Sequence, residues 1–346
     1  MNSSESWNEE TVNICFYFLN STCISKNRSL SSSWALYIVM SGAVVLTISG
    51  NLLVIISVSH FKQLHTPTNF LILSLAIADF LVGLMVMPYS MVRSVTSCWY
   101  FGNLFCKLHS CFDMMLCTSS IFHLFFISVD RYYAICHPLH YYKKMSIPVI
   151  QSLLFVTWSG PCLYSFGLIL SDIHTEGIYQ YVATLSCIGL CTLVLNKLWG
   201  TISSIICFFI PGILMIGIYI HIFSIARKQA RAISNQPNSL CGKSTTCNKK
   251  HMNMENKAAR TLSLVMGAFI LCWLPFFTIT VIDPFINFST SEDLYNTALW
   301  LGYFNSTLNP ILYALFYPWF KKSFGCIVSG GIFHQGSSSM HVMASV

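Results

Sequence analysis

The chain has 346 residues, 54% of them hydrophobic and only 9% charged, with a formal net charge of +7. A soluble domain carries about 25% charged residues, so a water-facing surface over most of this molecule is excluded. Nucleic-acid binding is not read from the positive balance, because the basic residues sort by position around apolar segments.

Seven stretches are long enough to span a bilayer, which takes about 20 apolar residues at roughly 1.5 Å each. In chain order they cover 34–59, 69–92, 107–130, 145–171, 198–226, 261–282 and 294–320. Five contain no Asp, Glu, Lys or Arg; the second carries only Asp79, and the third only Asp113 between Lys107 and Asp130. Their glycines and prolines, and the absence of short alternating segments, suit helices rather than a closed barrel. The expected fold is an all-α membrane protein: a seven-transmembrane-helix bundle with a short amphipathic eighth helix.

The segments before, between and after the spans complete the organisation. Residues 1–33 form a polar tail without an apolar signal core, so the first span is expected to serve as an uncleaved signal anchor. The tail holds three N-x-S/T sequons, at Asn2, Asn20 and Asn27. The loops after spans one, three and five, with the tail after span seven, hold 14 of the 19 basic residues. The positive-inside rule therefore places the N-terminus outside and the C-terminus in the cytosol. The loop at 228–260 is polar, basic and rich in Ser and Asn, and is expected to be disordered. Pro318 breaks the seventh helix, and the aromatic and basic residues after it suit a helix lying on the membrane. The domains are thus 1–33, a bundle over 34–320, and a helix and tail over 321–346. Cys326 beyond that helix is a free cysteine or a palmitate acceptor.

Charges within spans are costly and point to function. Asp113 lies 18 residues before Arg131, so roughly 27 Å of helix separates them. A carboxylate at that depth, open to an outer cavity, binds a cation; the alternative is a packing aspartate paired with a polar neighbour. Trp273, Phe276 and Phe277 of span six and Trp300 and Tyr303 of span seven are candidates for an aromatic wall, since ring faces attract ammonium groups. Singly, such aromatics more often pack in a core or face lipid. Ser203 and Ser204 of span five are placed to reach a ligand hydroxyl. Asp283 and Glu292 lie in or beside the outer loop before span seven, too exposed to replace Asp113 but able to attract cations. No nucleophile–base pair, zinc motif or phosphate loop occurs at usable spacing, so neither catalysis nor a cofactor is expected. His109 and His123 are read as structural. A transporter is the competing class, opposed by the odd helix count and the absence of internal repeats.

Seven motifs in order, SGNLLVI at 49–55, LSLAIAD at 73–79, VDRYY at 129–133, Trp158, FFIPGILMIGIY at 208–219, FILCWLPFF at 269–277 and NSTLNPILY at 305–313, resemble those of rhodopsin-like G-protein-coupled receptors. The run NSTLNPILYALFYPWF at 305–320, with HFKQLHTPTNFLILSL at 60–75, SCWYFGNLFCKLH at 97–109, CTSSIFHLFFISVDRYYA at 117–134 and DPF at 283–285, is similar to the trace amine-associated receptors. This resemblance implies a small primary amine as ligand and a stimulatory or olfactory heterotrimeric G protein as partner, within membrane lipids. It implies that Asp79, Asn51, Asn305 and Asn309 form a polar network able to hold a sodium ion. Asp130, Arg131 and Tyr132 become the G-protein switch, with Glu255 as the inactive-state partner of Arg131. Trp273 becomes a toggle beneath the ligand, and Tyr219 and Tyr313 stabilise the active state. It also implies the disulfides Cys106–Cys191, Cys15–Cys187 and Cys23–Cys98, a choice among many pairings open to six cysteines. A receptor for neurotransmitter amines is the nearest alternative. Two departures bear on coupling: His137 stands where the family carries an aspartate, and KKSFG at 321–325 replaces a basic-Ala-Leu run.

Overall fold

The computed structural model describes residues 14–17, 21–234, 243–316, 318–340 and 342, with the side chains of 226, 229–234, 243–262 and 318 outside that description. The helices are α1 (Leu30–His60), α2 (Pro67–Thr96), α3 (Asn103–Cys136), α4 (Ile147–Leu170), α5 (197–234), α6 (Lys243–Ile282), α7 (Glu292–Phe316) and α8 (Pro318–Val328). Short helices at Pro138–Lys144 and Tyr179–Leu185 lie in connections.

Local chemistry sets the starts and the irregularities of these helices. Ser29 and Thr66 cap α1 and α2 by accepting the N–H of Ser32 and Asn69, leaving fewer orphan donors in each first turn. Pro67 occupies the first turn of α2, where its missing N–H costs nothing. Inside a helix the same residue leaves a carbonyl without its donor and crowds the preceding turn. In α2 a π turn at Val82–Val86 precedes Pro88, and in α5 a π turn at Ile205–Phe209 precedes Pro211. Each turn takes up one extra residue, which relieves the proline and rotates everything beyond it.

The helices pack α1 on α2, α2 on α3 and α3 on α4, with α3 also on α5, then α5 on α6, α6 on α7 and α7 back on α1. A long α3 thereby stands at the centre. At one close approach, a Cβ on Gly50 of α1 would lie 2.7 Å from the Pro310 ring of α7, so only glycine fits there. Large apolar side chains such as Ile38, Val45, Phe155, Leu163, Ile213 and Leu271 face outward. An apolar surface this continuous is tolerated only against lipid.

Six of the described helices are long and apolar enough to cross a membrane. The seventh expected span, α7, is of similar length but polar: Asn305, Ser306, Thr307 and Asn309 are buried in the bundle. It ends at Phe316, before the expected boundary, and α8 starts at Pro318. The expected disorder is also corrected at 228–234 and 243–260, while 235–242 lie outside the described residues. Helix continues to Ser234 and resumes at Lys243, as the lack of Gly or Pro between Lys243 and Thr261 allows.

Two β-bridges, Ile14 with Ile24 and Thr22 with Ile188, fold the N-terminal segment over one end of the bundle. Three disulfides lie there, Cys15–Cys98, Cys23–Cys187 and Cys106–Cys191. The expected Cys15–Cys187 and Cys23–Cys98 pairs are therefore exchanged, and the bridges explain why. Cys15 and Cys23 are neighbours, the Cys15 N–H donating to Cys23 O at 2.9 Å. The Cys23 N–H donates to Ile188 O at 3.0 Å, which sets Cys23 beside Cys187. Gly189 lies against Cys15 and accepts the Trp99 N–H at 2.7 Å, which brings Cys15 to Cys98. Among described residues the free cysteines are Cys111, Cys117, Cys136, Cys162, Cys207, Cys272 and Cys326.

Candidate functional site

A cavity of about 690 Å³ opens at the disulfide end between α2, α3, α5, α6 and α7. Asp113 of α3 lies in its wall, half-buried. One carboxylate oxygen accepts the Tyr303 hydroxyl at 2.6 Å, and the other the Cys117 thiol at 3.4 Å. Both donors are neutral, and none of the ion pairs among described residues includes Asp113. A carboxylate held by neutral donors beside an open cavity retains its attraction for a cation.

The wall facing it is aromatic. Trp273 and Phe276 meet edge to face at 5.8 Å between ring centres, Phe276 and Tyr295 lie 5.6 Å apart, and Phe277 stacks on Phe208 at 4.8 Å. A Cβ on Gly302 would lie 2.6 Å from the Trp273 ring, so α7 meets that ring with bare backbone.

The aromatic candidates of α7 do not act together. Trp300 turns toward α2, where its indole N–H donates to Ser94 Oγ at 3.0 Å, and it does not line the cavity. Tyr295 and Leu299 line it instead, eight and four residues before Tyr303 and so on its helical face. That period was the signal for Tyr295. Ser203 lines the cavity, but its hydroxyl pairs with Tyr164 at 2.6 Å. Ser204 is buried outside the lining, its hydroxyl donating to Gly200 O at 2.7 Å. The two serines are thus not a free pair for a ligand hydroxyl.

Asp283 and Glu292, expected to be exposed in or beside the loop, line the outer part of the cavity. Asp283 accepts the Thr290 N–H at 3.0 Å, and Glu292 accepts the Ser97 hydroxyl at 2.7 Å. Arg93, Met114 and Thr118 are among the unforeseen lining residues, and Thr22, Cys23 and Ile24 bring the N-terminal segment to the mouth.

Deeper in the bundle, Asp79 is fully buried and accepts Ser120 Oγ at 2.9 Å, Ser306 Oγ at 2.7 Å and Asn309 Nδ2 at 2.7 Å. Asn51 joins indirectly, donating to Thr47 O and Ser306 O. Asn305 is buried, with no hydrogen bond to Asp79 and its Nδ2 unpartnered. Ser120 is the seventh residue after Asp113 and therefore shares its face of α3. The free acceptors Asn51 Oδ1 and Asn309 Oδ1, beside an unpaired carboxylate, fit a small cation.

At the opposite end Asp130 is completely buried and pairs with Arg131 at 2.5 Å. Thr68 and Tyr141 also donate to Asp130, at 2.8 and 2.9 Å, and the Arg131 guanidinium donates to Thr68. Neither Thr68 nor Tyr141 stood out in the sequence, because only the fold brings them to α3. Tyr132 meets His137, 3.3 Å from hydroxyl to ring nitrogen, and Tyr219 packs against Ile135 and Ile222. Tyr313 is buried in the main core. The side chain of Glu255, and Asn2 and Asn20, lie outside the described residues. Asn27 is exposed. His109 and His123 are buried, bonded to Val86 O and to Ser119 O and Ser74 respectively.

A seven-helix bundle with a polar core, a cavity at one end and a buried acid–arginine pair at the other defines a receptor class. A model of the rhodopsin-family seven-transmembrane receptors matches residues 50–313, and the chain belongs to that family. It is a rhodopsin-like G-protein-coupled receptor, a multi-pass protein of the plasma membrane and not an enzyme. Within the family it groups with the trace amine-associated receptors. It is 55% identical over 339 residues to trace amine-associated receptor 4 of Rattus norvegicus, covering 98% of each chain. It is 50% identical over 333 residues to receptor 3 of the same species, covering 96% of each. With receptor 2 of Homo sapiens it shares 48% over 327 residues, covering 94% of this chain and 90% of that one. The motif resemblance likewise lies nearest to subtype four, with subtypes two and three close.

Proposed function

We propose that the chain is a receptor for small primary amines, that Asp113 holds the ligand ammonium, and that binding raises cyclic AMP through a stimulatory, olfactory-type G protein. The observation that carries the ligand reading is the Asp113 carboxylate, bonded only to neutral donors at an aromatic-walled cavity. Trp273, Phe276, Phe277 and Tyr295 would take the apolar body of the amine, gaining roughly 25 cal/mol per Å² buried and cation–π attraction besides. The names of the relatives support the amine class, and the G-protein assignment rests on the same resemblance. The N-terminus and the cavity face outside, Asp130 and Arg131 face the cytosol, and α8 lies on the inner leaflet. Asp79 with Asn309, Ser120 and Ser306 would hold a sodium ion.

A single amine with an aromatic or branched body is favoured over a diamine, because α5 from 197 to 226 contains no Asp or Glu and only Asp283 and Glu292, in the outer part of the cavity, could receive a second ammonium. The test is a cyclic AMP assay on cells expressing the receptor, with phenylethylamine, putrescine and cadaverine, on wild type and Asp113→Ala. Phenylethylamine should be the most potent, and the variant should lose at least about tenfold in potency at normal surface expression, roughly 1.4 kcal/mol or more. Unchanged potency in Asp113→Ala would remove the ammonium from that carboxylate. A more potent diamine would reveal a second anionic partner.

A further inference from the structure

Of the four charged residues that line the cavity, Asp113, Asp283, Glu292 and Arg93, only Arg93 is a cation. Its half-buried guanidinium makes one hydrogen bond, from Nη1 to Cys191 O at 3.2 Å, and none of the ion pairs among described residues includes it. A guanidinium carries five N–H donors in a fork that suits a carboxylate or similar anion. Neither acid near the mouth bonds Arg93: Glu292 accepts from Ser97 and Asn296 and Asp283 from the Thr290 N–H, so Arg93 keeps donors to spare.

The disulfide sets this cation on the outer side of Asp113. Cys191, which accepts from Arg93, is bonded to Cys106 of α3. Cys106 precedes Asp113 by seven residues, roughly 10 Å of helix. The cation therefore lies roughly two helical turns outward of the Asp113 level, so a ligand touching both must hold its ammonium and its acceptor well apart. An α-amino acid is too short, because its carboxylate would sit beside the ammonium and against Asp113. An arylalkylamine with an acid on the far side of its ring has the right reach.

We propose that Arg93 is a second ligand-recognition residue, selecting amines that carry a carboxylate or comparable anionic acceptor at the end remote from the ammonium. This deepens the amine reading and rests on Asp113 holding the ammonium. The Asp113 carboxylate and the Arg93 guanidinium would also orient the ligand, with its ring between them against Phe276 and Tyr295.

The experiment compares 4-(2-aminoethyl)benzoate with its methyl ester, phenylethylamine and phenylalanine in cyclic AMP dose–response curves on intact cells, at matched surface expression. In wild type the acid should be at least about tenfold more potent than its neutral ester, which is larger by one methyl group, and phenylalanine should gain nothing over phenylethylamine. In Arg93→Gln the acid-to-ester preference should collapse to near unity, and Arg93→Lys should restore part of it. An acid that is silent, or no better than its ester in wild type, would overturn the proposal, as would a preference that survives Arg93→Gln. The wild-type comparison decides even if the variants fail to reach the surface. If phenylethylamine responses are indifferent to Asp113→Ala, the amine reading fails as well. If they depend on Asp113 while acid and ester behave alike, only the role of Arg93 fails.

Discussion

Trp273 shows how much one residue position can depend on a neighbour with no side chain. Its indole N–H is buried without a hydrogen-bond partner, and its ring lies against the Gly302 backbone of α7. Gly302→Ala would set a methyl group 2.6 Å from that ring, inside the range that real Cβ atoms avoid. The ring or the helix must then shift, and overpacking of this kind costs about 1–3 kcal/mol. We expect Gly302→Ala to lower the melting temperature of the purified receptor in a thermal-shift assay, whereas Gly42→Ala, with open space at its Cβ, should behave like wild type. Equal melting temperatures for all three proteins would show that the Trp273 ring has room to move. The contrast between Trp300 and Tyr303 belongs to the same scale. Three residues apart, they share a helix surface, yet one side chain bonds Ser94 of α2 and the other Asp113 of α3.

Among the elements, the N-terminal hairpin is held to the bundle by covalent bonds more than by charge. Lys26 and Arg28 pair with Asp293 at 2.5 and 2.6 Å, but these groups are partly exposed and such pairs contribute about 0–1 kcal/mol. A disulfide typically contributes about 2–4 kcal/mol. Lys26 donates to Asp293, which with the nearby Arg28 charge outweighs its slight desolvation and holds that carboxyl below the usual range. The pairing makes a prediction that sequence could not. Cys15→Ser, Cys98→Ser and their double variant should be equally destabilised, because each breaks the same bond. Combining Cys15→Ser with Cys187→Ser breaks two bonds and should cost more. Non-reducing peptide mapping should recover Cys15 joined to Cys98; recovery of Cys15 joined to Cys187 would reverse the assignment.

Across the whole molecule, the chain runs from a disulfide-bonded cap over an open cavity, through a polar core around Asp79, to the Asp130–Arg131 pair. The proposed orientation puts the cap outside, where oxidation and glycosylation occur. Exposed Asn27 should then carry a glycan. Glycosidase treatment should increase the mobility of the wild-type receptor, and Asn27→Gln should lower its starting mass by one glycan. An unmodified Asn27, on a receptor whose N-terminal tag is inaccessible on intact cells, would invert the topology.

Length, charge sparsity and period determined, from sequence alone, that this chain is a helical membrane bundle, because a bilayer forces each spanning segment to satisfy its own backbone. The same constraint singled out Asp79 and Asp113, since charge in a span is rare enough to be noticed without a structure. Ordered motifs along one chain likewise marked the family before any contact was known. Which side chains meet was decided only by tertiary structure. Thr68 and Tyr141 reach Asp130, Ser120 and Ser306 reach Asp79, and Arg93 reaches the cavity through contacts between different helices. A helical period places a residue on a face, but helix rotation, altered here by the π turns before Pro88 and Pro211, decides what that face meets. The cysteines obey the same physics. Their number permits several pairings, and only the hairpin that sets Cys23 beside Ile188 selects one.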